Sequence, residues 1–208
     1  MKSKLHGFLR GGVLALVLFV ATALHAASSK VVNFPEIGPH YPILIVEKNV
    51  NPENKMVAYT KMDAKGRFLD VGNRPVVDFY WLMDGKKYKP VNKKILKELH
   101  KQFTWQWNSK DRSTFVVEVN DLKKMKCDIK ERRIDVSAAK THDGTHIETQ
   151  MNLGPSDGNM RIRLSAIQTV GRAFPPSAES VTLKGEKVVK GKPTGKKVTR
   201  TYYATDHR

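Results

Sequence analysis

Cysteine is almost absent from this chain of 208 residues, in which Cys127 stands alone. A chain with one cysteine cannot form an internal disulfide, so the packing of apolar side chains must stabilise it. Cys127 alternates with Met125 and Ile129, and the residues between them are charged. This alternation predicts a half-buried strand in which Cys127 is a small apolar residue rather than a reactive thiol.

The sequence also lacks a phosphate loop, a cysteine paired with a nearby histidine, and two histidines placed to share a metal ion. The glycines of residues 191–197 have the wrong spacing for a phosphate loop, and Cys127 has no histidine nearby in sequence. A turn at Asp143 and Gly144 would direct His142 and His146 to opposite faces of a hairpin, which excludes a shared metal ion. We therefore predict no catalytic residue, no metal site and no cofactor, although distant polar residues could still assemble a catalytic site.

A long apolar run occurs only near the N-terminus, at residues 11–24. Basic residues precede this run and small residues follow it, which is the layout of a secretory signal peptide over residues 1–26. Cleavage after Ala26 is preferred to cleavage after Ala23, and an uncleaved N-terminal anchor is the alternative. The run is shorter than the about 20 residues of a membrane helix. We expect an exported protein, periplasmic or secreted, with no transmembrane span after signal removal.

Acidic residues are scarce relative to basic ones. Against 37 lysines and arginines there are 20 aspartates and glutamates, which gives a formal net charge of +17. Such a charge attracts anionic partners through its long-range field. For an exported protein, an anionic lipid, a glycan or another envelope polyanion is a more accessible partner than nucleic acid. A basic protein without such a partner is the alternative, and the oligomeric state is left open.

Beyond the N-terminal part, apolar residues recur at every second position, the period of a strand with one buried face. About ten such segments are separated by clusters of glycine, proline and asparagine, including a loop predicted at residues 154–159, and no βαβ rhythm is visible. The pattern predicts a mainly β fold, either an antiparallel β-barrel or a sandwich, with one inserted amphipathic helix.

The predicted domain organisation is simple. An extended segment at residues 27–42, with three prolines, precedes a single β-rich domain at residues 43–208. The last part of that domain, residues 181–204, is predicted to be a basic hairpin whose lysines suit a solvent-facing or edge position.

One helix is predicted after residue 91. Val91, Ile95, Leu96, Leu99 and Phe103 fall on one face at helical spacing, and Asn92 is placed as the N-cap. Lysines populate the other faces. A basic amphipathic helix can lie on an anionic membrane, but the commoner arrangement packs its apolar stripe on a sheet.

Two tryptophans are the first candidate ligand-binding residues. Trp105 and Trp107 fall on the same side of an extended segment, with lysines and an arginine close in sequence. Aromatic rings beside cations can stack on sugars or bases. The alternative is that both indoles fill the core.

A loop and a strand supply the remaining candidates. Asn49, Asn51 and Asn54 lie between two alternating runs, and their tolerance of turn conformations explains a hairpin loop without a ligand. Binding groups nevertheless often lie on loops that a rigid sheet supports. Arg161 and Arg163 occupy the polar side of a predicted strand and are candidates for contact with an anion.

Residues 46–85 contain an ordered set of motifs. A strand ending at residues 47–49 is followed by an Asn-rich loop, the segment MVAY at 56–59, a glycine turn, and a strand with Pro75 and a Tyr-Trp pair at 80–81. On these motifs the segment resembles an uncharacterised family of bacterial exported domains, one of the numbered domains of unknown function. The resemblance implies a compact exported domain and transfers no catalytic residue.

Three functions are compatible with these features. The first is a non-enzymatic binding domain for an anionic or amphipathic envelope ligand. The second is an envelope hydrolase or isomerase whose site is assembled from distant polar residues. The third is a structural envelope component that binds a protein partner. Salt-sensitive ligand binding, a buried His or carboxylate pair and a large apolar patch would support the three in turn.

Overall fold

The computed structural model describes residues 32–33, 40–48, 55–83, 87–129, 132–141, 144–172 and 177–204. The predicted signal peptide, most of the extended segment 27–42, and Asn49, Asn51 and Asn54 lie outside the described residues. The fold of the described residues is mainly β, with 65% of them in strands and one α-helix among them. This confirms the predicted fold class.

The twelve strands of the described residues belong to one branched sheet. Their bounds are β1 (Val32–Asn33), β2 (His40–Lys48), β3 (Lys55–Lys61), β4 (Val77–Met83), β5 (Lys87–Pro90), β6 (Phe103–Trp107), β7 (Thr114–Val119), β8 (Arg133–Thr141), β9 (Gly144–Asn152), β10 (Arg161–Arg172), β11 (Ser177–Val189) and β12 (Lys192–Tyr203). The helix α1 spans Lys93–Gln102 and lies between β5 and β6.

The sheet branches at β10. The start of β10 pairs antiparallel with β9, its middle pairs in parallel with β2, and β11 lies along its other edge. Two arms therefore extend from the same strand. The first arm is β2, β3, β4, β5 and β1, and the second arm is β9, β8, β7 and β6. The parallel pairing of β10 with β2 departs from the antiparallel sheet that the sequence predicts.

The two arms pack against each other through aromatic side chains. Phe79 of the first arm has its ring centroid 6.4 Å from that of Phe103 and 5.9 Å from that of Trp105, both in the second arm. All three are buried in one hydrophobic core. The path of paired strands ends at β1 and β6, and the described strands do not close into a barrel. Of the two predicted architectures, the sandwich is the one that the structure supports.

The helix forms where the apolar spacing predicts it. The side chain of Asn92 accepts a hydrogen bond from the Ile95 N–H at 3.0 Å, which confirms it as the N-cap. Leu99 is fully buried, and Phe103 begins β6 directly after the last turn. Within the described part of the chain, no helix is long and apolar enough to cross a membrane.

The strand predicted around Cys127 is wrong. Residues Asn120–Lys124 form a 3-10 turn, and only Met125 of the following segment forms a β-bridge, with Ala204. Met125 and Ile129 are nevertheless buried, because their side chains enter the core from an irregular segment. The alternation of apolar residues therefore predicts which side chains are buried, but it does not predict that the segment pairs as a strand. Cys127 is half-buried, with its Sγ 3.6 Å from the Leu122 carbonyl.

The turn between β8 and β9 is displaced by one residue from its predicted place. Thr141 pairs with Gly144, so residues 142 and 143 connect the strands. Cross-strand partners change as a result, and His146 pairs with Ala139 instead of Thr141. His146 keeps its predicted face, because its partner shifts by two positions and side chains alternate with period two.

The long hairpin of β11 and β12 pairs with β10 through β11. Its turn residues, Lys190 and Gly191, have φ angles of 50° and 77°. Two consecutive positive φ angles match the type I′ turn that follows the twist of a two-residue hairpin. Gly185 allows β11 to approach β10 closely, because a Cβ atom there would lie 2.4 Å from the Arg163 carbonyl oxygen.

Candidate anion-binding groove

A groove on the second arm brings three arginines together. Arg132 and Arg133 lie at the start of β8, and Arg161 is the first residue of β10. Asn152, at the end of β9, pairs with Arg161. The strand β9 therefore lies between β8 and β10, which carry the arginines at the two ends of the groove. The cavity has a volume of about 540 Å³. Its remaining lining residues are Asp128, Ile129, Asp135, Gly154, Pro155 and Asn159.

Strand alternation directs the arginines away from the core. Ile134 and Ile162 are fully buried, and each follows one of the arginines in sequence. Because successive side chains of a strand point to opposite faces, Arg133 and Arg161 are directed to the outer face. Both isoleucines are paired with Met151 of β9, which fixes the register that aligns the two arginines.

Two of the arginines have partners at the rim of the groove. The Nε of Arg132 donates to the Leu122 carbonyl at 3.1 Å. Arg161 Nη2 lies 3.2 Å from Asp135 Oδ2, and both side chains of that pair are 53% exposed. An ion pair so open to water contributes little stability, and Arg161 can exchange Asp135 for another anion at small cost.

Arg133 is different, because its Nε is buried and has no hydrogen-bond partner among the described residues. A buried N–H without an acceptor costs about 1–3 kcal/mol relative to a satisfied one. An acceptor oxygen of a bound molecule would remove this cost. The orphaned donor makes Arg133 the most distinctive group in the groove.

The lining of the groove also contains a second carboxylate besides Asp135, that of Asp128. Asp128 Oδ2 accepts a hydrogen bond from the Ser156 N–H at 2.5 Å. Hydrogen bonds from the side chain and backbone of Ser156 hold the pKa of Asp128 below its usual value, so this carboxylate is ionised at neutral pH. Gly154 packs tightly here, since a Cβ atom would lie 2.9 Å from the Asp128 carbonyl oxygen. An anion would therefore bind on the Arg133 side of the groove.

Residues 154–158 match the G-x-S-x-G spacing of a nucleophile elbow, centred on Ser156. That motif requires a strand, a sharp turn and then a helix. Here Pro155–Asp157 form a 3-10 turn that is followed by the strand β10. The segment is the loop predicted from its composition, and its Ser156 N–H anchors Asp128.

Arg163 lies in a separate and smaller cavity, of about 180 Å³. Its Nη2 is 3.4 Å from Glu186 Oε2, and the Lys197 Nζ lies 3.5 Å from the same carboxylate oxygen. Glu186 also accepts from the Gly195 N–H, which is the largest cause of its lowered pKa. The structure therefore places Arg161 in the arginine groove and Arg163 in a separate, solvent-exposed ion-pair cluster.

The two candidate tryptophans have different environments. Trp105 is 7% exposed and belongs to the core, so its ring is not available at the surface. Trp107 is half-buried and borders a third cavity, where Arg112 Nη2 lies 3.6 Å from Asp70 Oδ2. Among the described residues, Trp107 Nε1 and Asp70 Oδ1 are buried without a hydrogen-bond partner. The candidates Asn49, Asn51 and Asn54 lie outside the described residues.

Sequence reasoning identifies Arg161 but misses Arg132 and Arg133. The available signal is the arginine doublet directly before the alternating run that becomes β8. The doublet alone does not distinguish a solvated charge pair from a binding site. The distinction comes from the register of β8, β9 and β10, which brings Arg161 to the same groove.

Metal ligands and acid–base pairs were sought on the same residues. The part of the chain that the structure describes contains no group of three or more histidine, cysteine or acidic side chains that could hold a metal ion. His146 Nε2 lies 3.5 Å from Glu148 Oε1 on β9, and both side chains are partly exposed. Neither residue borders the three cavities described above.

Comparisons with known proteins add no relative. No protein family model, no curated protein and no solved structure matches this chain. The resemblance of residues 46–85 to a domain of unknown function stays a prediction.

Proposed function

We propose that this chain is an exported, non-enzymatic β-rich domain that binds an anionic envelope ligand in the arginine groove. The observation that supports this most is Arg133, whose buried Nε–H lacks an acceptor among the described residues beside two further arginines. The net charge of +17 acts in the same direction, because its field raises the local concentration of anions.

The groove favours ligands with phosphate, sulfate or carboxylate groups. A guanidinium presents a planar fork of N–H donors that matches two oxygens of such a group. A cavity of about 540 Å³ is larger than a single inorganic anion requires, so the anionic group would belong to a larger molecule. A phospholipid headgroup and an acidic glycan both supply this chemistry.

The test compares Arg133→Gln with Arg74→Gln. Arg74 is an exposed arginine on the loop between β3 and β4, so its loss changes the net charge equally without touching the groove. Binding to phosphatidylglycerol vesicles and, separately, to a sulfated glycan is measured by cosedimentation and by calorimetry at several salt concentrations. Vesicles of phosphatidylcholine serve as the uncharged surface.

For one of the two anionic probes we expect Arg133→Gln to weaken binding about tenfold or more, the loss of one charge-assisted hydrogen bond. Arg74→Gln should change binding less than threefold, and affinity should fall as salt rises. Equal losses in the two variants would mean that net charge alone attracts the probe, and the groove proposal would then be wrong. Absence of binding to both probes would also contradict it.

The two rival functions make different demands. A hydrolase or isomerase needs a His or carboxylate pair within hydrogen-bond reach in a cavity. The pair of His146 and Glu148 lies on a partly exposed strand surface instead. A structural component needs a large apolar patch, whereas only four large apolar side chains are exposed among the described residues: Leu69, Val71, Val189 and Tyr203. Neither the His146–Glu148 pair nor the exposed apolar side chains favour these functions over anion binding.

A further inference from the structure

The strand β12 has a free edge. It spans 12 residues, and within the described part of the chain β11 is its only strand partner. Most of its side chains are exposed. An edge strand of this length presents a row of backbone donors and acceptors that another extended chain can pair with.

The alternation of hydrogen bonds along β12 shows which residues face the free edge. The Ala204 N–H donates to the Glu179 carbonyl at 2.8 Å. In an antiparallel pair, hydrogen-bonded positions alternate with positions whose groups point outward. The next pair, Ser180 with Tyr203, therefore directs the Tyr203 backbone outward. The outward carbonyl of Tyr203 has a partner in this chain, because it accepts a hydrogen bond from the Lys126 N–H at 2.7 Å.

The same alternation extends along the strand. Pairing with β11 is in register from Tyr203 to Lys197, so the backbone groups of Thr201, Thr199 and Lys197 also point outward. The side chains of these three residues are exposed. The Thr199 carbonyl accepts from Arg200 Nη1 at 3.0 Å, and the alternation directs the three N–H groups away from β11. Residues 197–201 of β12, next to the Tyr203 carbonyl that Lys126 binds, are thus open to a further extended chain.

The charge of β12 indicates which kind of chain would pair with its edge. The strand contains four basic residues and no acidic one; the basic residues are Lys192, Lys196, Lys197 and Arg200. A second copy of this chain would place the same positive charges against each other, and like charges across strands are destabilising. An extended segment rich in aspartate or glutamate would place opposite charges beside these basic side chains. Two of them also have carboxylate partners within this chain, Lys197 with Glu186 and Arg200 with Asp157.

We propose that β12 accepts an acidic, extended segment of another protein as an added β-strand along residues 197–201. The backbone N–H and C=O groups of the edge would supply affinity, and the lysines would supply preference for acidic sequences. This edge adjoins the loop that lines the arginine groove, because Arg200 and Tyr202 donate to Asp157. The proposal uses the backbone of β12 and does not depend on the proposed function.

The test uses Thr199→Pro and its matched control Thr199→Val. Proline removes the outward N–H and occupies its space, and an edge strand tolerates it where the N–H faces solvent. Pro193 already occupies such an edge strand position in β12. Valine keeps the N–H and suits a strand. The probe is a short fluorescent peptide in which glutamate alternates with valine, and the control peptide replaces glutamate with lysine.

We expect the acidic peptide to bind the wild-type chain and Thr199→Val with affinities within about threefold, and Thr199→Pro to bind at least about tenfold more weakly. The lysine peptide should not bind. Hydrogen exchange at the amides of Lys197, Thr199 and Thr201 should slow when the acidic peptide is present, and circular dichroism should show that each variant is folded.

Four outcomes would overturn the proposal. The first is absence of peptide binding, which would mean that the lysines only protect the edge from pairing. The second is equal binding by the proline and valine variants. The third is loss of peptide binding in Arg133→Gln with unchanged exchange at Thr199, which would place the peptide in the groove. Concentration-dependent dimerisation that slows exchange at the same amides would show that a second copy is the occupant instead.

Discussion

The contact between the two arms can be tested with Phe79→Ala. Phe79 is 4% exposed and belongs to the first arm, whereas its aromatic neighbours Phe103 and Trp105 belong to the second. Removing a buried phenylalanine costs about 3–5 kcal/mol, because the transfer free energy is lost and a cavity remains. Such a cost is a large fraction of the about 5–15 kcal/mol that stabilises an ordinary domain.

The assay is denaturant unfolding followed both by circular dichroism and by tryptophan fluorescence. We expect a loss of about 3–5 kcal/mol in the free energy of unfolding and a fall of roughly 10 °C in Tm. Val71→Ala is the control, since Val71 is 51% exposed and its truncation should change stability by less than about 0.5 kcal/mol.

A double-mutant cycle separates arm contact from general core loss. Phe79→Ala is combined with Trp105→Ala, and residues in contact give coupling energies of about 0.5–3 kcal/mol. Within this coupling, an aromatic pair contributes about 0.5–1.5 kcal/mol beyond its buried area. A loss below about 1 kcal/mol for Phe79→Ala, or a coupling energy of zero, would refute the packing of the arms through these rings.

Two further predictions concern single positions. Gly185→Ala should destabilise the chain by about 1–3 kcal/mol, because its Cβ would lie 2.4 Å from the Arg163 carbonyl oxygen, and an unchanged denaturation midpoint would contradict this. Hydrogen bonds from the side chains of Ser109 and Ser113 and from the Ser113 backbone lower the pKa of Asp111 from 3.8 to about 2. The resulting stabilisation is present above the unfolded pKa and is lost as the pH falls toward 2. A carboxyl NMR titration of Asp111 should therefore give a midpoint near 2, and Ser113→Ala should raise that midpoint. A midpoint near 3.8 in the wild-type chain would contradict the assignment.

The class of fold can be predicted from the sequence because the face of a strand residue depends on its parity alone. Ile162 and Leu164 are buried, and Arg161 and Arg163 lie on the other face, as the period of two requires. The helix is also predictable, since the position of its N-cap, Asn92, and its apolar spacing are local features.

Pairing between distant strands cannot be predicted in this way. The strand β10 pairs first with β9 and then, further along, with β2, and all three strands show the same apolar alternation. The choice depends on how the arms pack, which no local pattern encodes. The segment around Cys127 shows the same limit, because Met125 and Ile129 are buried whether or not the backbone joins a sheet.

The candidate site is predictable only in part for the same reason. Arg161 is identified from its place on the polar side of a strand. Arg132 and Arg133 become significant only when β8 and β10 are aligned on either side of β9. The buried Nε of Arg133 is a property of the folded groove, since the unfolded chain exposes every arginine to water.

The most direct test of the anion-binding groove is an NMR titration of the arginine Nε–H resonances with a soluble phospholipid headgroup, glycerol phosphate. We predict that the Arg133 resonance moves downfield with saturation, as its unsatisfied N–H gains a charged acceptor, while the Arg74 resonance moves little. A titration in which Arg133 stays unchanged, or in which exposed arginines shift as much as Arg133, would contradict the central claim.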